Sequence, residues 1–179
     1  MAYGYGKGLE QMVEMANEAY KRRGLALIEK QEVPMVIQRS GKSFPKEKSI
    51  VDYVGFKVFE FDDDIKHIPV AFDVKETRDD NKFSLSYIKP HQYKYLKMRA
   101  ENFPGTMNFI VVNCLKLHKC YRINFPELKR RWEGWQSGKG VPDDNKNGSY
   151  ASISFEWLQE NMEPIKSKNG IILDYLNIA

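Results

Sequence analysis

The sequence predicts a single α/β domain, a mixed central sheet flanked by helices, and three observations carry that reading. The chain has 179 residues, enough for one buried core and too few for two ordinary domains. Apolar positions recur with helical spacing in some segments and with strand alternation in others, with no internal repeat and no linker long enough to divide the chain. The apolar run 107–113 lies where a central strand buried on both faces would be, which requires helices on each side of the sheet.

The elements follow in order. Leu9, Met12, Val13, Ala16, Ala19 and Tyr20 are spaced by threes and fours, predicting an amphipathic helix over 8–22, with Gly24 as its stop. Residues 25–28 and 33–38 read as strands interrupted at Pro34. Residues 39–48 form a basic loop containing Gly and Pro. Residues 50–61 and 68–75 are expected to pair antiparallel around a turn at Asp62, Asp63 and Asp64. Pro90 suits the first position of a second helix, over 90–102. Strands at 107–113 and 120–125 precede a short basic and aromatic helix at 127–136. Residues 137–150, rich in Gly, Asp and Asn, are expected to be a mobile loop, followed by a short helix at 155–162 and a closing segment at 171–176.

Composition narrows the partners. No apolar run approaches the roughly 18 residues of a membrane span, and Glu10, Glu14 and Glu18 break any secretory pattern near the start. Two cysteines, Cys114 and Cys120, give no disulfide framework, so a cytoplasmic setting is expected. The net charge of +4 is modest, but bases cluster: six against one acid over 116–131, four against one over 39–48, and four against none over 89–99. Separated basic segments interleaved with Tyr93, Trp132 and Trp135 suit a polyanion, although solvated faces produce the same pattern.

The chemistry concentrates in Ala71-Phe72-Asp73-Val74-Lys75-Glu76-Thr77. Strand alternation places Asp73 and Lys75 on one face and Phe72 and Val74 on the other. Upstream, Asp52 stands among apolar neighbours in Ile50-Val51-Asp52-Tyr53, giving the pattern D…(D/E)-x-K. Phosphodiester hydrolysis uses a hard cation to polarise the phosphate and lower the pKa of the attacking water, and magnesium needs only a few oxygen ligands. A neighbouring lysine orients that water or stabilises charge building on the phosphate. By itself the tripeptide fits a cross-strand ion pair better than a catalytic site.

The surroundings extend the pattern. Gly6-x-x-Leu9-Glu10 with Asn17 and Tyr20, then Ala26, Ile28, Lys30 and Pro34, then Val51-Asp52-Tyr53-x-Gly55, Phe72 to Thr77, His91-Gln92, and Leu173-Asp174-Tyr175-Leu176 together resemble, in order, the RecU family of Holliday junction resolvases. These are nucleases of the restriction-endonuclease-like, PD-(D/E)xK fold. The resemblance implies a DNA endonuclease of recombination and repair that resolves four-way junctions as a homodimer with magnesium, or manganese in its place. It makes Asp52 and Asp73 metal ligands with the Val74 carbonyl, and Lys75 the catalytic lysine. Glu10 approaches the metal directly or through water, or is simply a helix-start carboxylate favoured by the dipole. Gln92 lies near the site as a DNA contact, or stands exposed on the second helix.

Three departures bear on the transfer. Asp73 stands where the family usually has Glu, and the hairpin between the two acidic motifs is longer and acidic. The family's long basic projection, which enters the junction, is reduced to 39–48, with Arg39, Lys42, Lys46 and Lys48 as the DNA contacts. A magnesium-dependent nuclease of flaps, forks or duplex, and a non-catalytic DNA-binding module, are the competing readings. Cys114, His118 and Cys120 fall short of a zinc set and read as buried or turn residues. Gly4-x-Gly6-x-Gly8 follows no strand, so it is no phosphate loop. Trp132 and Trp135 could stack on bases, with at least one expected in the core.

Overall fold

The computed structural model describes residues 7–32, 35–37, 43–45, 50–61, 64–139 and 150–177. The chain runs α1 (Lys7–Arg22), β1 (Ala26–Lys30), β2 (Met35–Ile37), β3 (Ser43–Pro45), β4 (Tyr53–Phe61), β5 (Asp64–Thr77) and β6 (Lys82–Ser84). It continues through α2 (Pro90–Asn102), β7 (Met107–Cys114), β8 (Lys119–Asn124), α3 (Phe125–Gln136), β9 (Ser152–Ser154) and α4 (Phe155–Asn161). The central sheet has five strands in the order β1-β4-β5-β7-β8. β5 and β7 are parallel, with Phe72 opposite Phe109, and are joined by a crossover through α2. The other neighbours are antiparallel, so the sheet is mixed.

Alternation along β5 sorts its residues to two cores. Phe72 and Val74 face α1, where Leu9, Val13, Ala16 and Tyr20 meet Tyr53, Phe109, Tyr175 and Leu176. Ala71 faces the other way, into a layer that includes Leu96 of α2, Leu128 and Trp132 of α3, and Leu158 of α4. On the α1 side the rings of Tyr53, Phe72 and Phe109 stack across three adjacent strands, with centroids 5.0 and 4.8 Å apart. The closing segment is anchored to α1. The Tyr20 hydroxyl donates to Asp174 Oδ1 at 2.8 Å and accepts from the Leu176 N–H, while the Tyr175 hydroxyl donates to Asn17 Oδ1.

Several boundaries differ from the sequence reading. Residues 39–48 are not wholly loop, because β3 lies inside them and pairs antiparallel with β2. Arg39, Lys42, Lys46, Lys48, Asp62 and Asp63 lie outside the described residues, as do positions 140–149 of the expected mobile loop. β5 begins at Asp64, so the acidic turn is shorter than expected. The pairing of β6 with β9 was not foreseen; it tucks the start of α4 beside Asn81, whose carbonyl accepts the Phe155 N–H. Both cysteines are buried and reduced.

Candidate active site

β5 ends as a central strand whose neighbour stops early. Tyr53, the first residue of β4, pairs with Phe72, so beyond Phe72 the ladder on that side has ended. Asp52 fills the gap. Its backbone carbonyl accepts from the Gln31 N–H at 2.8 Å, and its Oδ2 accepts from the Val74 N–H at 2.9 Å. In an extended strand a residue's C=O lies on the same side as its N–H, so the Val74 carbonyl faces the same opening.

Asp73 is fully buried, with its side chain in the layer shared with α2 and α3. Lys75 Nζ lies 2.7 Å from Asp73 Oδ2 as an ion pair, and both Asp73 oxygens are buried. Burial, and then the Asp52 carboxylate within hydrogen-bonding reach, push the Asp73 carboxyl up to about 8, against the opposing pull of Lys75. The sequence pattern thus assembles in space: two carboxylates, a backbone carbonyl and an ammonium converge where β4 ends beside β5.

The chemistry of these donors suits a hard divalent cation. Each offered atom is an oxygen, and a cation would offset the repulsion between two carboxylates held this close in a buried layer. Asp52 and Asp73 with the Val74 carbonyl would hold it. Among the described residues no group of three His, Cys, Asp or Glu side chains assembles as a metal site.

Glu10 stands elsewhere in its contacts. Its carboxylate accepts from Lys30 Nζ at 2.8 Å, alongside Glu14 at 3.0 Å, tying α1 to β1 and raising the Lys30 ammonium well above its usual range. The fully buried Tyr53 hydroxyl has no hydrogen-bond partner among the described residues and feels charge from both Asp52 and this Glu10–Lys30–Glu14 cluster. Lys30 and Tyr53 were therefore parts of the neighbourhood that residue patterns alone did not assign, though both stand in the motifs quoted above. Gln92 is buried rather than exposed, and its Oε1 accepts the Lys89 N–H at 2.9 Å, capping α2. Its place in the chain is thus explained by helix initiation.

A mixed sheet covered by helices on both faces, carrying two carboxylates and a lysine at a strand end, belongs to the restriction-endonuclease-like class of α/β nuclease folds. The family described as recombination protein U matches residues 4–179, and the chain belongs to that family. Among curated relatives, the Holliday junction resolvase RecU of Staphylococcus saprophyticus is 26% identical over 179 residues, covering 96% of this chain and 83% of the relative. That of Oenococcus oeni is 26% identical over 173 residues, covering 96% and 82%. The protein of the same name from a Geobacillus species is 24% identical over 165 residues, covering 84% and 77%.

Proposed function

We propose that this chain is a structure-selective DNA endonuclease that resolves four-way junctions in recombination, by magnesium-dependent hydrolysis of a phosphodiester bond. One observation carries the catalytic part: a fully buried Asp73 carboxyl group beside the Asp52 carboxylate, with the Lys75 ammonium 2.7 Å away as its one cationic contact among the described residues. Family membership supports the substrate. A bound magnesium, or manganese in its place, supplies polarisation of the scissile phosphate and a lowered pKa for the attacking water.

The chain's own residues do the rest. Asp52, held by the Val74 N–H, and Asp73, held in a dry layer, fix the negative charge that positions the cation. Lys75 places its ammonium at the mouth of the pair, where it orients the nucleophilic water and faces the charge that grows on the phosphate oxygens. Phosphate contacts from lysine and arginine orient the duplex arms and read shape rather than sequence. Two symmetric nicks need two sites, so the working form is a homodimer whose two-fold axis matches that of the junction.

The test is cleavage of a mobile four-way junction, a fork and a linear duplex, in magnesium or EDTA, by wild type, Asp73→Ala and Lys75→Ala. Paired nicks confined to the junction, lost in EDTA and in Asp73→Ala, are expected. Lys75→Ala should slow cleavage by roughly 10²-fold or more while leaving junction binding intact. Equal cutting of all three substrates would leave the chemistry and remove the junction preference; binding without cutting would sink the nuclease assignment.

A further inference from the structure

On the α2–α3 side of the sheet, the side that buries Asp73, a groove of about 500 Å³ opens between the start of α2 and the end of α3. Its floor is aromatic. Tyr93 stacks flat on Trp132, with centroids 4.7 Å apart and planes at 12°, and Trp135 meets Trp132 edge-on at 5.1 Å. Tyr93 and Trp132 are buried, whereas Trp135 is only partly covered. Its rim carries Lys89, Lys94 and Lys97, and no carboxylate lines it.

The charge at this rim differs from that of the longer basic segment further on. There, Lys116 is paired with Asp80, Lys129 with Glu101, Arg131 with Glu127, and Arg122 donates to the Tyr175 carbonyl. At the groove, Glu133 engages Lys97 and the Tyr93 hydroxyl from the edge. Lys89 and Lys94, both exposed, have no ion-pair partner among the described residues. A partly open indole beside two uncommitted ammonium groups matches a base and its flanking phosphates.

We infer that the Tyr93–Trp132–Trp135 groove binds a short stretch of single-stranded DNA, with an unpaired base against Trp135 and its phosphates on Lys89 and Lys94. The inference rests on the reading of the chain as a nuclease of branched DNA. A groove of this volume falls within the range of small-ligand sites and accommodates a nucleotide.

The test is titration with a ten-residue oligothymidylate in EDTA, read by tryptophan fluorescence and by anisotropy of a labelled strand. Wild type should show saturable quenching. Trp135→Ala should lose most of it and bind the strand about 5- to 100-fold more weakly, with Trp135→Phe staying within about threefold of wild type. Lys89→Ala with Lys94→Ala should lower the log–log salt slope by about 1.4. Melting curves on each variant separate lost binding from lost folding. Equal affinity and quenching in Trp135→Ala would overturn the inference, as would quenching by a proline-rich peptide but not by the oligonucleotide. Junction nicking is scored separately on the same samples. Nicking with no quenching rejects the groove alone, whereas quenching with no nicking rejects the nuclease reading and keeps the groove.

Discussion

Asp73 is a fully buried acid on a central strand. Its carboxylate is buried beside another carboxylate, and only Lys75 offsets that repulsion. Because its folded pKa is raised above the unfolded value, the folded state holds its proton more tightly. The stability this contributes is present at low pH and disappears as pH rises toward about 8. Metal-free wild type should therefore lose on the order of 2 kcal/mol between pH 6 and pH 9. Asp73→Asn should flatten that loss and unfold at higher urea than wild type at pH 9, because it removes a desolvated charge. Magnesium should raise the melting temperature of wild type and leave Asp73→Asn unmoved. Urea melts in EDTA at the two pH values and a magnesium titration of Tm read all three outcomes.

At the scale of elements, two contacts govern how strands and helices dock. An added Cβ on Gly55 of β4 would meet the Leu27 carbonyl oxygen of β1 at 2.0 Å, so the close approach of these backbones depends on that glycine. Gly55→Ala should cost more than about 2 kcal/mol by forcing β1 away, measured by denaturant unfolding. On the other face, α3 is fastened through Arg131, whose guanidinium is buried over the Trp157 ring at 4.0 Å and donates to Glu127. Burial tends to raise the Glu127 pKa, but hydrogen bonds from Arg130 and Arg131 outweigh it and hold the carboxyl below its usual range. That stability is present above the ordinary glutamate range and lost as pH falls through the lowered value. Glu127→Gln should destabilise by about 2–4 kcal/mol at pH 7 and by progressively less as pH falls below the ordinary glutamate range, in parallel melts. Elements of this kind divide sharply by how far their causes lie along the chain. α1, α2, β4 and β7 were readable because local periodicity and Pro90 specify them. The β6–β9 pair was not, since each strand has three residues and its partner lies far away in sequence. The Asp52–Asp73–Lys75 grouping was readable through strand alternation, whereas the pairing of Glu10 with Lys30 depends on how α1 lies across β1. The burial of Gln92 was not readable, because a helix-capping glutamine and an exposed one look alike until the preceding N–H is located.

For the whole molecule, the sheet is a partition: the Asp73 side chain and the aromatic groove lie to one side, and the other side is packed by α1 and the segment 173–176. Tyr175 sits against Tyr20, Phe72 and Phe109 at once. Tyr175→Ala should therefore cost about 3–5 kcal/mol, seen as a drop in the unfolding midpoint, even though it touches none of the groups assigned to chemistry. The bond from Tyr20 to Asp174 spans 154 positions. At roughly 5–20 residues per second of synthesis, α1 must wait about 8–30 s on the ribosome for the residues that cover it. For most of that interval the segment 173–176 is missing from the layer behind the two acidic strands, so the α1 side of the sheet closes only after residue 174 has been made.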